Sequence, residues 1–273
     1  MIFFILLLAG SGCVPWRSPE RLPRYTSIEE AIRKPEEVRN ISLNSGLNEF
    51  PRELARFPNL QILSLRKNNL GAVPPEIGEL RNLVRLDAGE AGIESLPDEI
   101  GRLSSLKWLH LNVNRLSSLP EGMASLRSLE YLNLDRNNLT ALPSWIGKLS
   151  SLRWLRVNDN QLSSLPPEIG TAASLERIYA QNNKLTELPA ELLNLSRLTD
   201  LALGGNQFTE LPDWISDMSA LRNLDLEDNA LVALPQDIGK LKHLRTLRLD
   251  GNKIPEAEKA RLRKALPECH IVF

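Results

Sequence analysis

The chain repeats itself at a fixed interval. A leucine at position 60 recurs at Leu83, Leu106, Leu129, Leu152, Leu175, Leu198, Leu221 and Leu244, each 23 residues after the last. A tenth unit, one residue shorter, opens at Val38. Such a period constrains folding more than composition does, because every unit must adopt the same local structure and stack on its neighbours. Positions 1, 4, 6, 11, 14, 18 and 21 of a unit are almost always apolar; in the unit from Leu152 they are Leu152, Leu155, Val157, Leu162, Leu165, Ile169 and Ala172. One unit cannot bury seven apolar side chains alone, so stacked turns must share one continuous core.

Positions 4 and 6 alternate with polar residues, which predicts a short strand with one inward face. Strands from successive turns would pair as a parallel sheet on the concave side. The return segment carries proline, which limits φ, and Gly78, Gly101, Gly147, Gly170 and Gly239, which permit a tight or closely packed backbone. Where the strand ends, the chain must turn inside the core with backbone groups unpaired. An asparagine amide supplies both donors and acceptors there. Asn68, Asn114, Asn137, Asn160, Asn183, Asn206, Asn229 and Asn252 occupy that position, with Ala91 in the third unit and Gly46 in the first. They are expected to form a structural ladder.

The pattern LxxLxLxxNxL followed by LPxxIGxL resembles the leucine-rich repeat (LRR) family over residues 38–254. Tails such as "VPPEIGEL" and "LPSWIGKL" are similar to those of bacterial LRR proteins and of Ras-group-related LRR scaffolds. The resemblance implies an α/β solenoid of about ten repeats between caps, and leaves the partner open, since this fold serves many. At 26–37, "SIEEAI" reads as a cap helix with Ser27 and Glu30 as its capping box. At 255–273, Leu262, Ala265 and Leu266 share a helical face, and Cys269, Ile271 and Phe273 then alternate as a closing edge, with Cys269 expected to be a small buried residue.

The N-terminus differs from the rest. "MIFFILLLAGSGC" is too short to span a bilayer and resembles a bacterial lipoprotein signal over residues 1–12, with Cys13 as the lipidated residue. It departs from that signal in having no Lys or Arg before the apolar run, and Gly10 where leucine is usual. Residues 13–25, rich in proline and arginine, then suit a tether. The expectation is an envelope protein, membrane-anchored and monomeric; the alternative is an apolar start on a cytoplasmic protein. Net charge is −1, so nothing draws the whole chain to nucleic acid. Cys13 and Cys269 stand at opposite ends and make neither a disulfide framework nor a zinc site.

Positions 2, 3, 5, 7 and 8 should face the concave solvent, and stacking turns them into columns. Column 3 reads Arg85, Trp108, Tyr131, Trp154, Arg177 at its centre, and column 5 adds His110, Arg156 and Tyr179. Aromatic and arginine side chains in the middle of an open face are the residue types of binding hot spots. Charge is polarised along the face, with Arg66 and Lys67 in the second unit and Asp225, Glu227 and Asp228 in the ninth. A basic stripe suited to nucleic acid is missing, so a protein partner is expected, with a carbohydrate such as peptidoglycan or a cytosolic scaffolding role as alternatives. Ser64, Asp87 and His110 share column 5, but Asp87 would lie between the other two, the wrong order for a triad. No catalytic residue, metal site or cofactor is expected. Trp145 and Trp214 are expected to pack on the convex rim.

Overall fold

The computed structural model describes residues 22–273. Within them one sheet of twelve parallel strands runs in sequence order from end to end. It starts with β1 (Arg24–Tyr25) and β2 (Asn40–Ser42), continues with nine three-residue strands from β3 (Ile62–Ser64) to β11 (Thr246–Arg248), and closes with β12 (His270–Val272). The register is a 23-residue step: Leu132 pairs with Leu155, and Leu155 with Ile178. The solenoid expected from the period is therefore the observed fold, and residues at one unit position stand side by side. β1 lies within the segment read as tether: Arg24 and Tyr25 pair with Asn40 and Ile41.

All seven apolar positions of the unit from Leu152 are buried. The return segments are five-residue 3-10 helices such as Ser144–Lys148 and Pro167–Thr171. Each follows a proline with extended backbone, Pro143 and Pro166 in these two. Proline suits that place because it fixes φ and has no N–H to leave unpaired. Neighbouring turns come so close that a Cβ on Gly147 would stand 2.1 Å from the Glu168 carbonyl oxygen, and one on Gly101 2.1 Å from that of Gly122. These glycines answer to packing between turns.

Trp145 departs from expectation. It is 1% exposed and belongs to the core, whereas Trp214 is partly buried against it. Position 17 is usually polar, as in Glu168 and Glu191, which pointed outward. Trp145's column neighbour one turn back is Gly122, with no side chain to compete for space.

The caps use polar groups as well as apolar ones. In α1 (Ile28–Ala31) the Ser27 hydroxyl accepts the N–H of Glu30 at 3.1 Å. In α2 (Glu256–Ala265) Leu262 and the following Leu266 are buried. Glu258 accepts the N–H of Leu234 (3.0 Å), while Arg261 donates to the carbonyl of Leu234 (2.9 Å) and pairs with Glu258 (2.7 Å). The α2 cap thus satisfies backbone that a further repeat would otherwise meet. Cys269 is half-buried rather than fully enclosed, and burial pushes its thiol pKa up to about 11.

The asparagines bond between turns. The amide nitrogen of Asn160 donates to the carbonyl of Val157 in its own turn (3.1 Å) and of Leu134 in the preceding turn (3.0 Å). Its oxygen accepts the N–H of Leu139, also one turn back, at 3.1 Å. The carbonyls are served twice, since Leu134 also receives Asn137 and Val157 also receives Asn183. Ala91 shows how the motif survives a gap: the N–H of Leu70 turns to the Ala91 carbonyl itself (2.8 Å). Just before the ladder position the backbone is left-handed, at Lys67, Val113, Arg136, Asp159, Asn182, Gly205, Asp228 and Gly251, and likewise at Glu90 before Ala91. Val113, β-branched with φ 58°, is the costliest of these, since that region costs an L-residue about 1–2 kcal/mol.

Because Leu139 depends on Asn160 alone, Asn160→Ala should orphan one buried N–H and destabilise the protein by about 1–3 kcal/mol in denaturant melts. Asn160→Asp keeps the acceptor but sets carboxylate oxygen against the carbonyls of Leu134, Val157 and Asn158, so it should cost at least as much. An Asn160→Ala protein as stable as the parent would mean that the ladder does not hold the turns together.

Candidate functional site

The sheet brings columns 3 and 5 onto one concave face. β4 (Arg85–Asp87), β5 (Trp108–His110), β6 (Tyr131–Asn133), β7 (Trp154–Arg156) and β8 (Arg177–Tyr179) pair in strict register, so Arg85, Trp108, Tyr131, Trp154 and Arg177 are successive neighbours. Each middle residue of these strands points into the core, which sends the flanking ones outward. They are half-buried rather than free in solvent, because neighbouring columns lean on one another.

The contacts form a chain across the face. The ring centres of His110 and Tyr131 lie 4.9 Å apart, and Tyr131 meets Trp154 edge to face at 5.8 Å and 77°. The guanidinium of Arg177 sits 4.9 Å from the Trp154 ring centre and 3.7 Å from an oxygen of Asp200. Arg156 lies 5.2 Å from the Tyr179 ring centre. Its guanidinium is gripped by Asp135 at 2.6 and 2.7 Å. Asp135 is itself fixed by the N–H of Asn158 at 2.8 Å. Trp108 has the Lys107 ammonium 5.9 Å from its ring, and Arg85 stands 3.9 Å from Asp87. Each aromatic ring is therefore held by a partner on one side, a preorganised surface with cation–π and edge-to-face order.

Sequence reasoning missed part of this site. Asp135 and Gln181 belong to column 7 of the concave face. Gln181 reaches over the small residues Ala202 and Gly204 to donate to Asp225 two turns away, at 2.9 Å. Column 2 is neutral across the middle turns: Lys107 pairs with Glu130 at 2.9 Å and Arg153 with Glu176 at 2.8 Å. At the acidic end, Arg248 binds Asp225, Glu227 and Asp250 together. Burial raises the Asp225 pKa against the pull of Arg248. At the other end Arg66 pairs with Glu90.

For catalysis the register puts Asp87 between Ser64 and His110, and the Ser64 hydroxyl donates to Asn44 at 2.7 Å. No nucleophile–base contact is made there. Among the described residues, no three His, Cys, Asp or Glu side chains are grouped to hold a metal, and no helix is long and apolar enough to cross a membrane. Cys13 lies outside the described residues.

Family profiles match along the repeats: one described as a leucine-rich repeat region over 144–269, one as leucine rich repeat over 81–139 and 104–162, and a further one over 59–80. The chain belongs to the leucine-rich repeat family. Solved structures agree. The HAESA ectodomain of Arabidopsis, solved with an IDA peptide hormone, is 28% identical with a TM-score of 0.69, over 79% of this chain and 38% of that one. Toll, in its complex with Spatzle from Drosophila, is 29% identical with a TM-score of 0.71, over 80% of this chain and 30% of that one. A Leptospira interrogans LRR protein is 26% identical over 92% of this chain and 99% of its own, with a TM-score of 0.41. The chain thus spans well under half of the two receptor structures. No curated protein matches it.

His110 offers a pH test of the site. Burial first, then Arg85, Arg66 and Arg156, outweigh Asp87 and lower its pKa from 6.5 to about 4. The unfolded chain takes up this proton near 6.5 and the native chain only near 4. This contribution to stability is therefore complete above pH 6.5 and is lost progressively as pH falls towards 4. His110→Gln should flatten that part of the stability curve. An NMR titration placing the native His110 midpoint near 6.5 would contradict the packing described here.

Proposed function

We propose that this protein is a non-enzymatic, monomeric binding module that takes a protein partner on its concave face, with Trp108, Tyr131 and Trp154 as the central anchors. The observation that carries this reading is the ordered chain His110–Tyr131–Trp154–Arg177 at the middle of an open sheet. Rings already fixed by neighbours lose little freedom on binding, which favours affinity. Arg156, tied to Asp135, adds a directed donor beside them. The receptor ectodomains similar to this chain, with a peptide hormone in one structure and Spatzle in another, support a protein or peptide ligand. Arginine beside every aromatic cluster also suits carboxylate and backbone carbonyl groups better than uncharged sugars.

We further propose that the module is held at a bacterial envelope membrane through lipidation of Cys13. The apolar run before that cysteine and the Pro- and Arg-rich stretch after it support the reading.

Selection of peptides from a displayed library on the immobilised protein tests the binding site. Selected peptides should lose about thirtyfold or more in affinity on Trp154→Ala, the equivalent of about 2 kcal/mol expected of a central aromatic anchor. Leu193→Ala, on the convex surface, should leave affinity unchanged. Equal loss in both variants, or none in either, would move the binding surface elsewhere. For the anchor, Cys13→Ala should shift the protein out of the detergent-extracted membrane fraction. An intact mass showing an unmodified Met1 terminus on the native protein would overturn lipidation.

A further inference from the structure

The two ends of the concave face differ in charge and in shape. At the N-terminal end a hollow of about 240 Å³ opens over the first three turns, with Arg24, Ser42, Asn44, Ser64 and Arg85 in its wall. Arg24 donates to the Ser42 hydroxyl at 2.6 Å, and Ser64 to Asn44 at 2.7 Å, so its polar groups already converge. Asp87 also lines it, 3.9 Å from Arg85, and in the second turn Arg66, paired with Glu90, and the exposed Lys67 stand beside it. At the other end Asp225, Glu227 and Asp250 share the single cation Arg248, and Asp228 is exposed next to them. Arg222 and Arg245 are exposed in column 2 of the same two turns, so the surplus negative charge there is confined to columns 5 to 8, while the first turns keep surplus positive charge, with the aromatic chain between.

Resting on the binding reading above, we infer that the partner presents an extended segment with a fixed charge order: carboxylate at the hollow of the first three turns, aromatic or apolar side chains over turns four to six, and basic side chains over turns nine and ten. Spacing follows from the sheet. Strands stand about 4.8 Å apart, so the second and ninth turns are separated by roughly 34 Å, about ten residues of extended chain. The second turn and the Tyr131 turn are separated by roughly 14 Å, about four residues. A segment of this order gains at both ends at once, whereas one with like charges at its two ends meets repulsion at one of them. The carboxylate can be a side chain or a chain terminus.

Fluorescence anisotropy with capped thirteen-residue peptides tests this. The probe carries two glutamates at one end, leucine and tryptophan four residues on, and two lysines at the far end. It should bind more tightly at low salt than versions with glutamine for glutamate or for lysine, and salt should erase the difference. Lys67→Asn should weaken the probe severalfold but not its version lacking glutamates. Asp228→Asn should weaken the probe and not its version lacking lysines. Both substitutions suit a left-handed backbone. A probe ending in a free carboxylate in place of its glutamates separates terminal from side-chain recognition. Binding that needs Trp154 but ignores the end charges overturns the charge order alone. Binding of no peptide in a Trp154-dependent manner overturns the site reading and this inference together.

Discussion

One side-chain amide, shared between two turns, is the interaction on which the rest of the structure depends. Each asparagine of the ladder binds a carbonyl in its own turn and a carbonyl and an N–H in the turn before, as Asn160 does with Val157, Leu134 and Leu139. Hydrogen bonds are directional, and burial makes their loss expensive. Apolar packing alone would let one turn slide on the next, because leucine against leucine is tolerant of small shifts. The amide removes that freedom. It sets the 23-residue register, and the register is what converts a list of polar residues into columns.

Columns explain why the face can be specific although its side chains come from distant parts of the chain. Trp108 and Arg177 are far apart in sequence, yet only two strands lie between them in the sheet. Each ring has a neighbour at the same unit position, so its contacts are dictated by the sheet spacing rather than by local loops. Asp135 completes this order from column 7, locking Arg156 while its own second oxygen takes the Asn158 N–H. A carboxylate so engaged holds the guanidinium in place, and leaves the tyrosine beneath it covered on one face. Burial raises the pKa of Tyr131 and Tyr179, which keeps both hydroxyls as neutral donors across the physiological range.

Much of this was legible from the sequence because the period makes alignment automatic. The core positions, the parallel order of strands and the neighbours of Trp154 all follow from adding 23. What the period hides is whatever breaks equivalence between units. Trp145 reads as convex by position, but the indole is buried. β1 carries no repeat signature, and only its pairing with Asn40 and Ile41 reveals it as sheet. The left-handed residue before each asparagine is suggested by Gly205, Gly251, Asn182 and Asp159, but Val113 and Arg136 adopt the same conformation with no such signal. There, tertiary register overrides local preference, since yielding at one turn would misalign every turn after it.

The same reasoning separates structural charge from charge left for a partner. In the middle turns column 2 pairs Lys107 with Glu130 and Arg153 with Glu176, and these partly exposed pairs contribute little beyond neutrality. The terminal turns do not balance in this way. Arg248 answers three carboxylates at once, and burial makes Asp225 harder to ionise because one guanidinium cannot compensate them all. A solenoid could neutralise such an end with a single further lysine in an adjacent column, at no cost to the core. That the imbalance sits on the concave face, opposite in sign to the end that carries Arg24, Lys67 and Arg85, makes it a property of the surface a ligand would meet rather than of the scaffold. The scaffold's own stability comes from the core leucines and the ladder asparagines, which occupy none of these columns.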